Sequence, residues 1–308
     1  MSIKNLIKKN NALYEAVKIL LRKKHYIEIR YFYGSTLKRN FRKRLNYDLN
    51  LHYPQTFCEK IQWLKVNYHN PDMVKCSDKY AVRKYIKDKI GDQYLIELYG
   101  VYDSVEEINI DKLPDKFVFK PNHSSGRVII CTDKKSMNWK KEFRKMKRWL
   151  NENFYFETGE WQYKDIPPKI ICERLLQEDI NDYKVFCFNG IPKFTQVISN
   201  RSEGYSSNYY DLNWELMDIR RSDHGISRYE IPKPGNYEKM LEISKEISKD
   251  FPFVRMDFYE VEGKLFFGET TFTPANGMIN YEPKKYDKIF GDYLKLPIIS
   301  SQIKSDVR

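Results

Sequence analysis

From Phe253 to Glu260 apolar and polar positions alternate, Val261-Glu262-Gly263 interrupts the run, and Leu265 to Thr271 resumes it. That is the pattern of a β-hairpin. Strand side chains alternate between faces, so Met256 and Phe258 share one face while Arg255 and Asp257 share the other. Asp257 and Glu269 are an even number of positions apart. A three-residue loop therefore brings Arg255, Asp257, Glu269 and Thr271 to one face, whereas a two-residue loop splits them. A face with a guanidinium, two carboxylates and a hydroxyl suits a metal–phosphate site. Mg²⁺ takes a few carboxylate oxygens and shares the phosphate oxygens of its ligand. The same pattern also fits an exposed sheet face with solvated charges.

The periodicity changes along the chain. Residues 1–70 read as helical, with Thr56 to Tyr68 a further amphipathic segment. Asp78 caps a helix through Ile90, which Gly91 ends. Lys116 to Lys120 and Val128 to Cys131 read as strands joined by Pro121-Asn122-His123-Ser124-Ser125-Gly126-Arg127. Trp139 to Glu152 reads as a helix and Ile170 to Leu176 as an apolar strand. Tyr183 to Phe188 and Lys193 to Ile198 form a hairpin around Asn189-Gly190, a pair suited to a type I′ turn. Asn200 to Pro234 is polar and turn-rich and reads as a long loop, and Tyr237 to Asp250 reads as a helix. Strand pairs alternating with helices predict an α+β protein whose lobes are built on antiparallel sheets.

Charge adds a feature that periodicity does not show. The 308 residues carry a formal charge of +12. Residues 1–50 hold 13 Lys and Arg against 3 Asp and Glu, and the rest of the chain is nearly balanced. Ile3, Leu6, Ile7, Leu13, Tyr14, Val17, Leu20 and Leu21 recur at helical spacing, with Lys4, Lys8, Lys18 and Arg22 elsewhere on the wheel. Such an arm can pack on its own domain with solvated lysines, or lie on an anionic membrane surface. Nucleic acid is not expected as a partner, because no zinc-finger spacing or RNA-binding aromatic motif accompanies the charge.

Cys58, Cys76, Cys131, Cys172 and Cys187 lack C-x-x-C spacing, and the last three sit in apolar strand-like runs. They read as reduced core thiols. There is no signal-peptide pattern and no apolar run long enough to span a bilayer. The expectation is a cytoplasmic protein, peripheral at the inner face of the membrane where the arm docks.

Further groups fall in line with the hairpin. Lys120 ends a strand and enters the small-residue loop, a flap that can place backbone N–H groups and a lysine charge around phosphates. Asp78-Lys79 offers a second cation at a helix start. Glu173 to Leu176, then Asp182-Tyr183-Lys184, read as strand, loop and strand. His123, in the flap, is a candidate base or phosphate donor.

In this order the features resemble the ATP-grasp superfamily, and more closely its TupA-like branch, named for teichuronopeptide biosynthesis. The resemblance runs from about Thr56 to Pro297. It is carried by EKIQWLK from Glu59, DKYAVRKYI from Asp78, LPDKFVFKPNHSSG from Leu113, DYKVFCFNGIPKF from Asp182, DFPFVRMDFYEV from Asp250 and GETTFTPANG from Gly268. It implies a two-lobed ATP-grasp fold: a first lobe with the phosphate flap at 71–172, a second with the metal–phosphate site at 173–308, and the helical basic segment at 1–70.

The resemblance also implies roles. Lys79 and Lys120 contact nucleotide phosphates, and Ser124, Ser125 and Gly126 cover them. Glu173 to Leu176, with Leu175 and Leu176 at its end, is the hinge whose backbone bonds adenine. Asp182 binds ribose, and Lys184 belongs with the nucleotide-binding residues. Asp257 and Glu269 hold Mg²⁺, with Thr271 where the superfamily often has Asn. Arg255, with Lys120, serves the catalytic step. The activity implied is ATP-dependent ligation of an amine or amino acid to an acidic sugar or amino-acid carboxylate in surface-polysaccharide assembly. The alternatives are a non-catalytic glycan- or membrane-associated binder, or a phosphotransferase on the same fold.

Overall fold

A computed structural model describes residues 20, 23–199, 206–223, 225 and 230–298. Two antiparallel sheets organise it. Strands β1 (Leu98–Tyr102), β2 (Phe117–Pro121), β3 (Ile129–Cys131) and β4 (Ile170–Arg174) form the first, in the order β1-β4-β2-β3. Phe117, Phe119, Cys131, Ile170 and Cys172 pack there against Met146 and Trp149 of the helix Trp139–Leu150.

The second sheet contains β5 (Asp182–Phe188), β6 (Ile191–Ser199) and β7 (Ser206–Tyr210). After the short β8 (Arg220–Arg221) it is completed by β9 (Phe253–Val261) and β10 (Lys264–Thr271), in the order β10-β9-β5-β6-β7. β7 lies inside the segment expected to be one long loop. β1 was not expected either; its residues are all only half-buried, so no strong alternation marks it.

Both faces of the second sheet are covered, which is why its central strand β5 is buried throughout. Val185, Cys187, Val254, Met256 and Phe258 face a core shared with the helix Tyr237–Ser248. Met73, Cys76, Val82 and Ile86 join that same core. The helices Pro71–Ser77 and Ala81–Ile90 therefore pack on the larger sheet, not with the lobe expected at 71–172. Phe186, Phe188, Phe194 and Phe253 face the opposite core, with the helices Tyr33–Leu45, Phe57–Asn67 and Lys285–Tyr293. Phe57–Asn67 starts at a capping box in which Thr56 accepts from the Glu59 N–H and the Glu59 carboxylate accepts from that of Thr56.

The arm at residues 1–24 lies almost wholly outside the described residues. All five cysteines are free and buried, as reduced core thiols should be. Among the described residues no helix is long and apolar enough to cross a membrane.

Candidate functional site

One face of the larger sheet changes character along its strands. On β5, Phe188 and Phe186 give way to Lys184 and Asp182; beside them on β9, Phe253 gives way to Arg255 and Asp257. The aromatic end closes a core and the charged end builds the site. Alternation forces this, because every second residue of one strand shares a face.

The hairpin reaches this face by a different route from the one expected. Val261 pairs with Lys264, so the loop is only Glu262-Gly263, with φ of 51° and 71°. Both positive values match a type I′ turn. A two-residue loop would place Glu269 on the face opposite Asp257. The register shifts between Phe267 and Glu269, so that Gly268 is an extra residue and Glu269 stands opposite Asp257, Thr271 opposite Arg255. This β-bulge flips the last strand segment over. Glycine suits it: a Cβ on Gly268 would lie 2.9 Å from the Tyr259 ring and 3.1 Å from the Asp257 carbonyl oxygen.

Arg255 and Asp257 are interlocked. The Arg255 Nε and Nη2 donate to the two Asp257 oxygens, each at 2.6 Å, and Nη2 donates to Thr271 Oγ1 at 3.0 Å. Among the described residues Arg255 Nη1 makes no hydrogen bond, which leaves it for a ligand oxygen. Lys184 completes the knot by pairing with Asp257 and with Asp182 Oδ2 at 2.6 Å. Burial pushes the Asp257 carboxyl up, against the pull of Arg255 and Lys184.

Three expectations change here. Asp257, expected to hold Mg²⁺, is fully buried, and both its oxygens already accept from cations. Thr271 uses its hydroxyl to hold Arg255, which fits a positioning residue better than a metal ligand. Asp182 is 2 % exposed and anchors Lys184, so a ribose contact does not follow from its geometry.

Glu269 is the more open carboxylate, with 31 % of its side chain exposed. It stands 3.6 Å from Lys79 Nζ and 3.6 Å from Arg255 Nη2. Burial would raise its carboxyl, but Lys79, Lys184, Arg255 and Lys120 outweigh that and hold it down at about 2. It is therefore ionised throughout the working range, and its cations stand too far off to be tight partners.

The flap meets this cluster through Lys79, whose ammonium donates to the Ser124 carbonyl at 2.5 Å. The Ser124 hydroxyl is buried without a hydrogen-bond partner, a donor in want of an acceptor. Ser125 and Gly126 are exposed at the tip. Lys120 pairs with Glu173 at 3.0 Å, and Glu173 also receives Arg83 at 3.1 Å. Leu175 and Leu176 follow β4 as half-buried residues in the connection to β5. Phosphate oxygens and Mg²⁺ fit this donor set: an orphaned hydroxyl, the open Nη1 of Arg255, lysines at the rim, and the partly open Glu269 carboxylate opposite Asp257.

His123 does not belong to it. Its Nδ1 meets Asn122 Oδ1 at 3.0 Å, its Nε2 meets the carbonyls of Trp149 and Glu152, and burial lowers its basicity. It is a buried brace for the flap. Arg127 is another: it pairs with Glu152 at 3.0 Å and with Glu157.

A profile of the TupA-like ATP-grasp family matches residues 59–295. The chain belongs to that family. Its fold class, α+β of the ATP-grasp type, is thereby the one expected. Among curated proteins no match is found. Among solved structures, D-alanine–D-alanine ligase from Bacillus anthracis is 17% identical, with 64% of this chain and 57% of that chain covered and a TM-score of 0.42. L-amino acid ligase from Bacillus licheniformis is 15% identical, covering 76% of this chain and 53% of that one, with a TM-score of 0.44. D-alanine–D-alanine ligase from Helicobacter pylori is 16% identical, covering 78% and 69%, with a TM-score of 0.38. The chain spans a little over half the length of the first two.

Several residues that the fold of this TupA-like protein puts to use carry no sequence signal. Arg83 is an ordinary helix arginine until folding brings it to Glu173, and a lone arginine on a polar helix face has no pattern. Tyr163 packs its ring on Phe154, and burial raises its phenol. Lys65 is 2 % exposed, donating to Asn276 Oδ1 at 2.5 Å and to the Thr158 carbonyl at 3.2 Å.

Burial drives the Lys65 ammonium from 10.5 down to about 8. Between those values the unfolded chain holds the proton that the folded protein has shed. Stability attributable to Lys65 therefore rises as pH climbs through this window. Relative to Lys65→Met, the wild type is expected to gain on the order of 3 kcal/mol between pH 8 and 10.5, read by urea unfolding. A difference that stays constant with pH would show that Lys65 is charged in the fold.

Proposed function

We propose that this protein is an ATP-dependent carboxylate–amine ligase acting through an acyl phosphate. The observation that carries the reading is Glu269, held ionised opposite Asp257 and flanked by Lys79 and Arg255 at 3.6 Å each. A carboxylate and an amine do not condense in water, because a carboxylate oxygen leaves poorly. Transfer of the γ-phosphoryl group to the carboxylate breaks the Pγ–O bond to ADP and forms an acyl phosphate. Amine attack at the acyl carbon then expels inorganic phosphate and forms the amide.

The residues divide this work. Lys79, Lys120 and the Ser124–Gly126 flap supply positive charge and donors for the phosphates of ATP, and Glu173 to Leu176 offers backbone for the adenine. Arg255 Nη1 serves the transferred phosphoryl group or the developing oxyanion, which suits a group that is always charged and fork-shaped. Glu269 and Asp257 would hold Mg²⁺, which supplies charge neutralisation on the phosphoryl oxygens. The proposed co-substrates are an acidic sugar or amino-acid carboxylate and an amine or amino acid, in surface-polysaccharide assembly; the family's name alone supports that setting.

A second reading is a binder on the same fold without turnover. The saturation of Asp257 by Arg255 and Lys184 favours it. Calorimetry tests the nucleotide–metal site, and ATP turnover separates the two readings. ATP is expected to bind with a requirement for Mg²⁺, and Glu269→Gln is expected to remove that requirement. Equal affinity with and without Mg²⁺ in the wild type would overturn the metal assignment.

A further inference from the structure

A cavity of about 580 Å³ lies between the helix Tyr33–Leu45 and the turn Pro274–Gly277, with Asn40, Lys43 and Arg44 on one wall and Thr158 and Asn276 on the other. The helix lies outside the residues that define the family, which begin at 59. Two chain segments tie the cavity to the Arg255–Glu269 cluster. Ala275 is four residues beyond Thr271, so their Cα atoms are at most about 14 Å apart. Thr158 leads to Glu160, whose carboxylate accepts from Thr273, two residues beyond Thr271.

The turn is built to hold its shape. Ala275 and Asn276 have φ of 49° and 57°, left-handed values that cost an L-residue on the order of 1 kcal/mol each. Surrounding bonds enforce them. Gln62 Nε2 donates to the carbonyls of Asn276 and Gly277 at 2.7 and 3.0 Å, and Lys65 holds the Asn276 carboxamide. Asn276 Nδ2 in turn donates to the Thr158 carbonyl at 3.0 Å. Strain held this firmly shapes a surface, and the surface it shapes is a cavity wall.

The charge of the cavity is positive. Lys43 makes no ion pair among the described residues. Arg44 has a single exposed partner, Asp223 at 2.7 Å, and such pairs exchange readily with a ligand. The one acid in the lining, Glu157, is neutralised by Arg127. We propose that this cavity receives the acid substrate, and that the substrate carries a second anionic group, phosphate or carboxylate, held by Lys43 and Arg44. The proposal rests on the ligase reading for the word substrate; the site itself stands on the cavity and its charge. The reacting carboxylate lies toward Arg255 and the second anion toward the helix, so the substrate is an acid with anions at both ends.

Calorimetry on the full chain tests this with two probes, glucuronate 1-phosphate and glucarate, the second replacing phosphate by a carboxylate. The wild type is expected to bind at least one. Lys43→Glu is expected to weaken that binding about tenfold or more. Lys38→Glu, on the same helix but outside the cavity, should leave it within about twofold. Both variants should bind Mg²⁺-ATP as the wild type does. The probe that loses more in Lys43→Glu names the anion. No binding of either probe, no loss in Lys43→Glu, or equal loss in Lys38→Glu overturns the proposal. Loss of Mg²⁺-ATP binding by the wild type with the probes still bound would count against the ligase reading and leave the cavity assignment standing.

Discussion

Glu269→Gln is expected to cut Mg²⁺-dependent ATP turnover roughly a thousandfold or more, with little change in melting temperature. Removing a metal-ligating charge costs several kcal/mol of stabilisation in the reaction, and each ~1.4 kcal/mol is tenfold in rate. The fold should tolerate the change, because Glu269 is partly open and its cations stand at 3.6 Å. Asp257→Asn is a different experiment. It also abolishes turnover, but it leaves Arg255 and Lys184 without their buried carboxylate. Breaking such a pair costs about 3–5 kcal/mol of stability. The contrast is the informative part: equal losses of activity with unequal losses of stability. Wild-type-like turnover in Glu269→Gln would remove it from the site.

Arg255→Lys is expected to abolish acyl transfer while leaving nucleotide affinity largely intact. An acyl phosphate is an electrophile, and hydroxylamine traps it as a hydroxamate when the natural amine is absent. With a carboxylate that is turned over, the wild type should give hydroxamate with stoichiometric ADP and inorganic phosphate. In Arg255→Lys the hydroxamate should fall about a hundredfold or more, comparable to loss of one oxyanion donor. A point charge cannot keep the fork to Asp257, the bond to Thr271 and a free N–H for the ligand all at once. Parallel loss of ATP affinity would restrict Arg255 to nucleotide binding. A stable phosphorylated product without hydroxamate would make the enzyme a kinase.

Much of this was legible before folding. Alternation in Phe253–Glu260 and Leu265–Thr271 places Arg255 with Asp257, and Asn189-Gly190 marks the turn between β5 and β6, because strand period and turn chemistry are local properties. Folding sets several of these residues in pairs: Lys79 with Ser124, Lys120 with Glu173, Lys184 with Asp257, and Glu269 opposite Asp257. The roles of single residues were less legible. Asp182, Thr271 and His123 are chemically capable of the parts expected of them. Only their partners show that they anchor Lys184, Arg255 and the flap instead.

By itself the sequence determined the α+β class, the family, the strand pairs β2–β3, β5–β6 and β9–β10, and the residue types that meet at the site, since periodicity, turn preference and motif order are written in neighbouring positions. Tertiary structure alone decided which face Glu269 occupies, through one extra residue at Gly268 that no pattern announces. It also decided that the helices at 71–90 pack on the larger sheet, that Arg83 meets Glu173, and that Lys65 is buried against Asn276. Those outcomes depend on contacts between residues far apart in the chain, and on burial that turns a surface charge into a fixed one. Neither is a property of any short stretch of residues.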